Sequence, residues 1–396
     1  MARVPPNQGR MTGRRFDIGH RHVPFSALGH GRDPVALSGR LAAYPDTTSG
    51  SGSDTSCSLR HSRVQDGLNM HHAYLSRRSF LLGGGAVLGL HPSMRALGQQ
   101  SSPAPANNVQ RTYHILGVPL RSGSLYPGSE DDARAYRDAQ ILARLRAAGC
   151  TVLDDGDIAL PSYLPHHSIP PIRSWPGPRI VWESLIERIV PLLKQPGHIP
   201  LLVGCDCSVV VGTAQALARS TTDEVHVLYI DGDSDDAPPE AGRSQSAATL
   251  AVWLLTHDSP FWTGPALPPS NVTLLGNTSP PRPSSSGVRT VLLSDIRRMG
   301  PREAARRALA GIPPSAQILL HIDVDVFQKA ELPAAYFPHA QGLTLAEGSQ
   351  LIAALSADAR VRLIEVSEYA SLRDLDQRWV NKLIDILTHA LSASAR

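Results

Sequence analysis

Four cysteines in 396 residues are too few to staple a fold with disulfides. Charge of one sign is also nearly absent: the formal net charge is +3, with 18% of residues charged. That balance offers no electrostatic footprint for a nucleic acid partner. No apolar run is long enough to cross a bilayer as a helix of the mature chain, and no internal repeat is visible. What is present is an ordinary globular composition, 42% hydrophobic, with enough length to bury a large core.

The N-terminal part is unlike the rest. Residues 1–69 are rich in Arg, His, Gly and Ser without apolar periodicity, a composition expected to be disordered. Ser76-Arg77-Arg78-Ser79-Phe80-Leu81-Leu82 then leads into a weakly hydrophobic stretch that ends near Ala96-Leu97-Gly98. Paired arginines before such a stretch look like a twin-arginine export signal over residues 70–98. Gly83-Gly84-Gly85 is poor material for a core helix, which disfavours the plainer reading. Export signals stand at the extreme N-terminus, so Met70 is the expected start, with residues 1–69 an over-extended reading of the gene. Residues 99–110 are expected to form a linker, and 111–396 the folded domain of an exported, periplasmic or extracellular protein.

From Arg111 onward apolar runs alternate with helical patterns, which predicts a three-layer α/β/α domain around a mostly parallel sheet of about eight strands. Strands are expected at residues 112–116, 151–153, 199–203, 225–230, 272–275, 290–293, 317–322 and 362–365. Helices are expected at 131–148, 180–194, 210–219, 246–255, 301–310, 345–355 and 375–391. In the first of these, Asp132, Arg134, Arg137 and Arg144 are expected outward, with Ala135, Ile141, Leu142 and Leu145 inward.

Three of the strands end in acidic or thiol-bearing clusters: Cys205-Asp206-Cys207, Asp231-Gly232-Asp233-Ser234-Asp235 and Asp323-Val324-Asp325. The carboxyl ends of neighbouring parallel strands share one crevice, where ligands bind. Desolvated carboxylates are costly unless compensated, so their convergence implies a cation, and hard oxygen donors in that number suit divalent metals. One Asp at a strand end is explained as a helix cap. Capping takes one oxygen per helix, not three.

The order of these motifs resembles the arginase/agmatinase ureohydrolase family from about Tyr113 to Leu391. Gly117-Val118-Pro119 with Gly123 and Gly128 resembles its opening strand and loop, and Asp154-Asp155-Gly156-Asp157 its next strand end. Gly204-Cys205-Asp206-Cys207-Ser208 stands in place of Gly-Gly-Asp-His-Ser, and the Asp231 cluster in place of Asp-Ala-His-x-Asp. Asp323-Val324-Asp325, Gly342-Leu343-Thr344 with Glu347-Gly348, and Glu365-Val366-Ser367 match later signatures. The resemblance implies two divalent ions, manganese by family, that hydrolyse a guanidinium to urea and an amine. By position, Cys207, Asp231, Asp235 and Asp323 would surround one ion, and Asp231, Asp233, Asp323 and Asp325 the other. Asp233 would thereby belong to the catalytic centre, and Glu365 would clamp the planar guanidinium. Family members are commonly trimers or hexamers, which makes a homo-oligomer an expectation here.

The pattern also departs from the family. Cys207 and Asp233 replace both metal-binding histidines, yet each can still ligate. Five carboxylates and a thiolate against two divalent ions leave −6 + 4 = −2, where four carboxylates and two imidazoles leave −4 + 4 = 0. A more negative shell makes bound water a poorer acid, and a thiolate favours zinc or iron over manganese. An oxidised Cys205–Cys207 pair is the other reading, disfavoured because the spacing would strain the bridge. On the substrate side, Ala241-Gly242-Arg243-Ser244-Gln245-Ser246 replaces Ser-Gly-Asn-x-His-Gly, so Gln245 stands for a proton-shuttling histidine and cannot titrate. Arg243 replaces the Asn that meets the amino-acid end of arginine, and Gly276-Asn277-Thr278-Ser279 replaces Gly-Leu-Arg-Asp. Arg243 and Gln245 are accordingly expected at the substrate, which is expected to be a guanidino compound other than arginine. A non-catalytic arginase-fold protein that binds metal or a ligand is the alternative.

Overall fold

Six short apolar segments buried on both faces, flanked by two more exposed edge segments, form one sheet because neighbouring strands satisfy their backbone groups. They are β1 (Thr112–Gly117), β2 (Thr151–Asp157), β3 (His198–Cys205), β4 (Val225–Ile230), β5 (Val272–Leu275), β6 (Arg289–Val291), β7 (Gln317–Asp323) and β8 (Val361–Ser367). The order across the sheet is β2-β1-β3-β8-β7-β4-β5-β6, and every pairing is parallel. The computed structural model describes residues 110–119, 132–280, 282–285 and 287–393. The expected extension, export signal and almost all of the linker lie outside the described residues, as do Gly123 and Gly128.

Period-two alternation sends successive strand residues to opposite faces, and each face has its own core. On one side Ile115, Leu201, Val203, Ile230, Leu320, Ile364 and Val366 pack under α1 (Asp132–Asp138), α2 (Ile141–Ala147), α6 (Leu293–Met299), α7 (Pro301–Ala310), α8 (Leu345–Ser356) and α9 (Arg378–Ala393). On the other, Leu116, Leu202, Val227, Leu319 and Leu363 pack under α3 (Gly177–Leu193), α4 (Val209–Ser220) and α5 (Ala251–Thr256). No helix among the described residues is long and apolar enough to cross a membrane. The three-layer α/β/α architecture expected from the alternation of patterns is the one observed.

Four local expectations are corrected. The helix expected at 131–148 is two helices, because Gln140 adopts a left-handed φ of 65° between them. Asp132 is buried rather than outward, accepting hydrogen bonds from Tyr336 Oη at 2.9 Å and Ser371 N at 2.8 Å. Leu293 opens α6 instead of closing a strand, and β6 is the short edge Arg289–Val291. At the other edge β2 runs on through Asp157, because Arg137 binds Asp154 and Asp157 and Arg188 pairs with Asp155, neutralising its acidic end.

Candidate metal centre

Register brings the site together. Asp323 closes β7 opposite Ser367 at the end of β8, and Asp231 follows the last residue of β4, Ile230, which pairs with Ile322. Cys207 lies two residues past β3 at the entry to α4. One ligand atom each from Cys207, Asp231, Asp235 and Asp323 falls within 4.8 Å of the others, and the same holds for Asp233, Asp325 and His339. Both groups sit in the crevice at the carboxyl ends of the strands. Of the positions expected to surround metal, Cys207, Asp231, Asp235 and Asp323 form one group, while Asp233 and Asp325 gather with His339 rather than with Asp231 and Asp323.

The capping explanation accounts for only half of the oxygens. Asp231 Oδ1 accepts from Asp233 N at 2.6 Å, and Asp323 Oδ1 from Asp325 N at 2.7 Å. Their second oxygens point inward. Asp231 Oδ2 has no hydrogen-bond partner although the residue is only 1% exposed. Asp323 Oδ2 meets Cys207 Sγ at 2.8 Å. Asp325 Oδ1 takes the Gly232 N–H at 3.1 Å, and Tyr229 Oη donates to Asp235 Oδ2 at 2.7 Å. A buried carboxylate oxygen left bare costs about 1–3 kcal/mol or more, so the donor set and this orphan fit a cation.

Electrostatics point the same way. Burial, with mutual repulsion from Asp325 and Asp323, pushes the Asp231 carboxyl well above its ordinary value. Burial does the same to Asp323 and Asp235, with Asp325 the leading repulsive neighbour of each. The Cys207 thiol is raised by burial and then by Asp323. Positive charge relieves all four at once. His339 supplies some of it: the Asp233 and Asp325 carboxylates hold its imidazolium up to about 10.

Three residues near the centre escaped the sequence reading. His321 sits inside an otherwise apolar strand, two residues before Asp323 and therefore on the same face; that alternation was the signal available. It is fully buried and stacks on Tyr229, its partner in β4, with ring centroids 4.1 Å apart. Its Nδ1 lies 2.7 Å from Glu365 Oε1, and its Nε2 3.3 Å from Cys207 Sγ and 3.2 Å from Ser367 Oγ. A carboxylate accepts, so in the neutral ring Nδ1 carries the proton and Nε2 faces the thiol as an acceptor. Glu368, just past β8, is buried and accepts from Cys207 N at 3.3 Å; burial and then Asp206 raise its carboxyl. His339 arrives from the loop after β7.

The residues expected at the substrate are placed differently. Glu365 is 0% exposed, and its two oxygens are taken by His321 and by the Thr213 hydroxyl at 2.8 Å. It faces α4 beneath the centre because it is the register partner of His321, and it does not line an open cleft. Gln245 is buried as a loop brace, accepting from Glu240 N at 2.8 Å and donating to Pro238 O at 3.1 Å. Arg243 is 70% exposed, 3.7 Å from Glu240, and shares a surface depression with Arg173, Thr249 and Phe337. Asn277 donates to the backbone carbonyl of Asp233 and so steadies that loop. Cys150, Cys205 and Cys207 are free and buried, so Cys205 and Cys207 do not form a bridge here.

Solved structures place this fold among known ones. The arginase of Bacillus caldovelox superposes with a TM-score of 0.62 at 21% identity, covering 71% of this chain and 98% of its own. The formiminoglutamase of Trypanosoma cruzi with manganese gives 0.55 at 17%, covering 72% and 94%. In sequence, human Arginase-1 is 25% identical over 257 residues, 60% of this chain and 78% of the relative. An arginase of Staphylococcus aureus is 23% identical over 292 residues, 69% and 91%. The Arginase family model matches residues 111–391, the whole span of the sheet and its ligand-bearing strand ends, and the chain belongs to the arginase family.

Proposed function

We propose that this protein is a metal-dependent hydrolase of an amidine-type C–N bond, releasing urea and an amine from a guanidino compound other than arginine. The observation that carries the reading is the convergence of Cys207, Asp231, Asp235 and Asp323 around a buried, unpartnered Asp231 oxygen. Divalent cations bound there supply Lewis acidity and acidify bound water. Manganese is the expectation from the family, and the thiol of Cys207 favours zinc or iron.

The chain's own residues do the positioning. Tyr229 fixes Asp235, and Ser367 and His321 fix the Cys207 thiol. Glu365 is enclosed, so the open rim of the centre is formed by Asp233, whose side chain is 60% exposed. Arg243 and Arg173 at the lip favour an anionic group at the far end of the substrate. Arginine is disfavoured because Gln245 cannot shuttle a proton and Arg243 occupies the place of the expected Asn.

The enclosure of Glu365 by His321 favours a second reading, an arginase-fold protein that binds metal without hydrolysis. Metal analysis of reduced protein, followed by urea release from a panel of guanidino compounds, separates the two. Metal together with urea from a compound other than arginine supports the first reading; metal with no urea from any compound supports the second. Asp323→Ala is expected to abolish stoichiometric metal under either. Retention of full metal by that variant would sink the ligand assignment.

A further inference from the structure

The loop after β7 turns His339 back over the strand ends, its carbonyl accepting from Lys329 N at 2.7 Å. His339 Nε2 then lies 3.4 Å from Asp233 Oδ2 and 3.5 Å from Asp325 Oδ2. Neither contact has hydrogen-bonding geometry, so the buried nitrogen is ion-paired to both carboxylates but hydrogen-bonded to neither, although the ring is 29% exposed. Direct N–H···O bonds close to about 2.9 Å. Donors sharing one tetrahedral cation at bonds of about 2.1 Å stand about 3.4 Å apart, which is the spacing found.

Gly232 makes that approach possible. A Cβ at this position would fall 2.6 Å from His339 Cδ2. Where the family resemblance has Asp-Ala-His, this chain has Asp231-Gly232-Asp233. The two changes are coupled in space. Removing the methyl opens the slot, and an imidazole from another segment fills it beside the carboxylate that replaced the original one.

We propose that His339 is a ligand of the second cation together with Asp233 and Asp325, restoring from the loop after β7 the imidazole missing at position 233. The assignment rests on the metal-centre reading above. It adds a nitrogen donor to a site that sequence order presents as all-oxygen, and so shifts that site's preference toward transition ions.

Cobalt(II) is the probe, because thiolate-to-cobalt charge transfer reports the Cys207 site while total bound cobalt counts both. The wild-type chain is expected to bind two equivalents and show the band. His339→Ala should keep the band while the second equivalent weakens by at least about 100-fold. Gly232→Ala should act in the same direction by displacing the ring, with the imidazole still present. Cys207→Ser should lose the band and retain the His339 equivalent. Two equivalents at unchanged affinity in His339→Ala would overturn the assignment while leaving the metal centre intact. No cobalt uptake by the wild-type chain would overturn the metal centre itself, and His339 with it.

Discussion

Glu365 and His321 form a charge-capable pair with no exposure to solvent at either side chain. Such a pair is held because each group would be stranded without the other, and removing one partner typically costs about 3–5 kcal/mol. His321→Ala leaves Glu365 with only Thr213 and is expected to fall in that range by denaturant unfolding. Glu365→Gln can still accept from Nδ1, so a cost of about 1–2 kcal/mol is expected. The double-mutant cycle should give a coupling of about 1–3 kcal/mol; a coupling near zero would mean that the pair does not act as one unit. Metal stoichiometry should be unchanged in Glu365→Gln, since its oxygens face His321 and Thr213 and not the carboxylate cluster. Loss of a bound cation in that variant would return Glu365 to the centre.

Strand ends rather than whole elements decide what this molecule can bind, and β3 shows how narrow the tolerance is. Gly204 adopts a φ of 77°, and a Cβ there would meet Ala133 N at 2.3 Å. Gly204→Ala therefore combines a left-handed backbone penalty with overpacking against α1, together about 2–4 kcal/mol. The denaturant midpoint should fall accordingly, and metal affinity should fall too, because Cys207 hangs from the same turn. A variant of wild-type stability would refute the close approach. The central strands were legible from the sequence because β4, β5 and β7 are largely apolar runs, each broken by at most one interior polar residue and ended by an acidic or glycine residue. The break at Gln140 was not, since the apolar residues of α1 and α2 keep one helical period across it. Leu293–Met299 was hidden because its first residues extend the pattern of an edge strand. The same contrast governs the site. Asp231, Asp235 and Asp323 were legible because strand ends of a parallel sheet converge by topology, whereas His339 reaches them through a loop whose path has no periodicity to read. Glu365 was misplaced because a motif gives the residue but not the neighbour, His321, that engages it.

At the scale of the whole molecule, the centre makes folding and cation binding a single equilibrium. Asp231, Asp235 and Asp323 all have folded-state values raised above the ordinary 3.8. A raised value means that the folded chain binds protons more tightly than the unfolded one. The stability this provides is complete below about 3.8 and is lost as pH rises through the raised values. His339 has the same sign, its contribution complete below 6.5 and lost as pH rises through about 10. The chelated protein should therefore become progressively less stable from mildly acidic to alkaline pH. Cations bind only the folded, deprotonated cluster, so metal at about 100 times its Kd should add about 2.7 kcal/mol, and at one fixed metal concentration the gain should grow as pH rises. Calorimetric melting of chelated and metal-loaded protein across that range reads both slopes. A chelated protein whose melting temperature climbs with pH over the same interval would show that the carboxylates are already neutralised by something other than a cation, and the convergence at the strand ends would then have no need of metal.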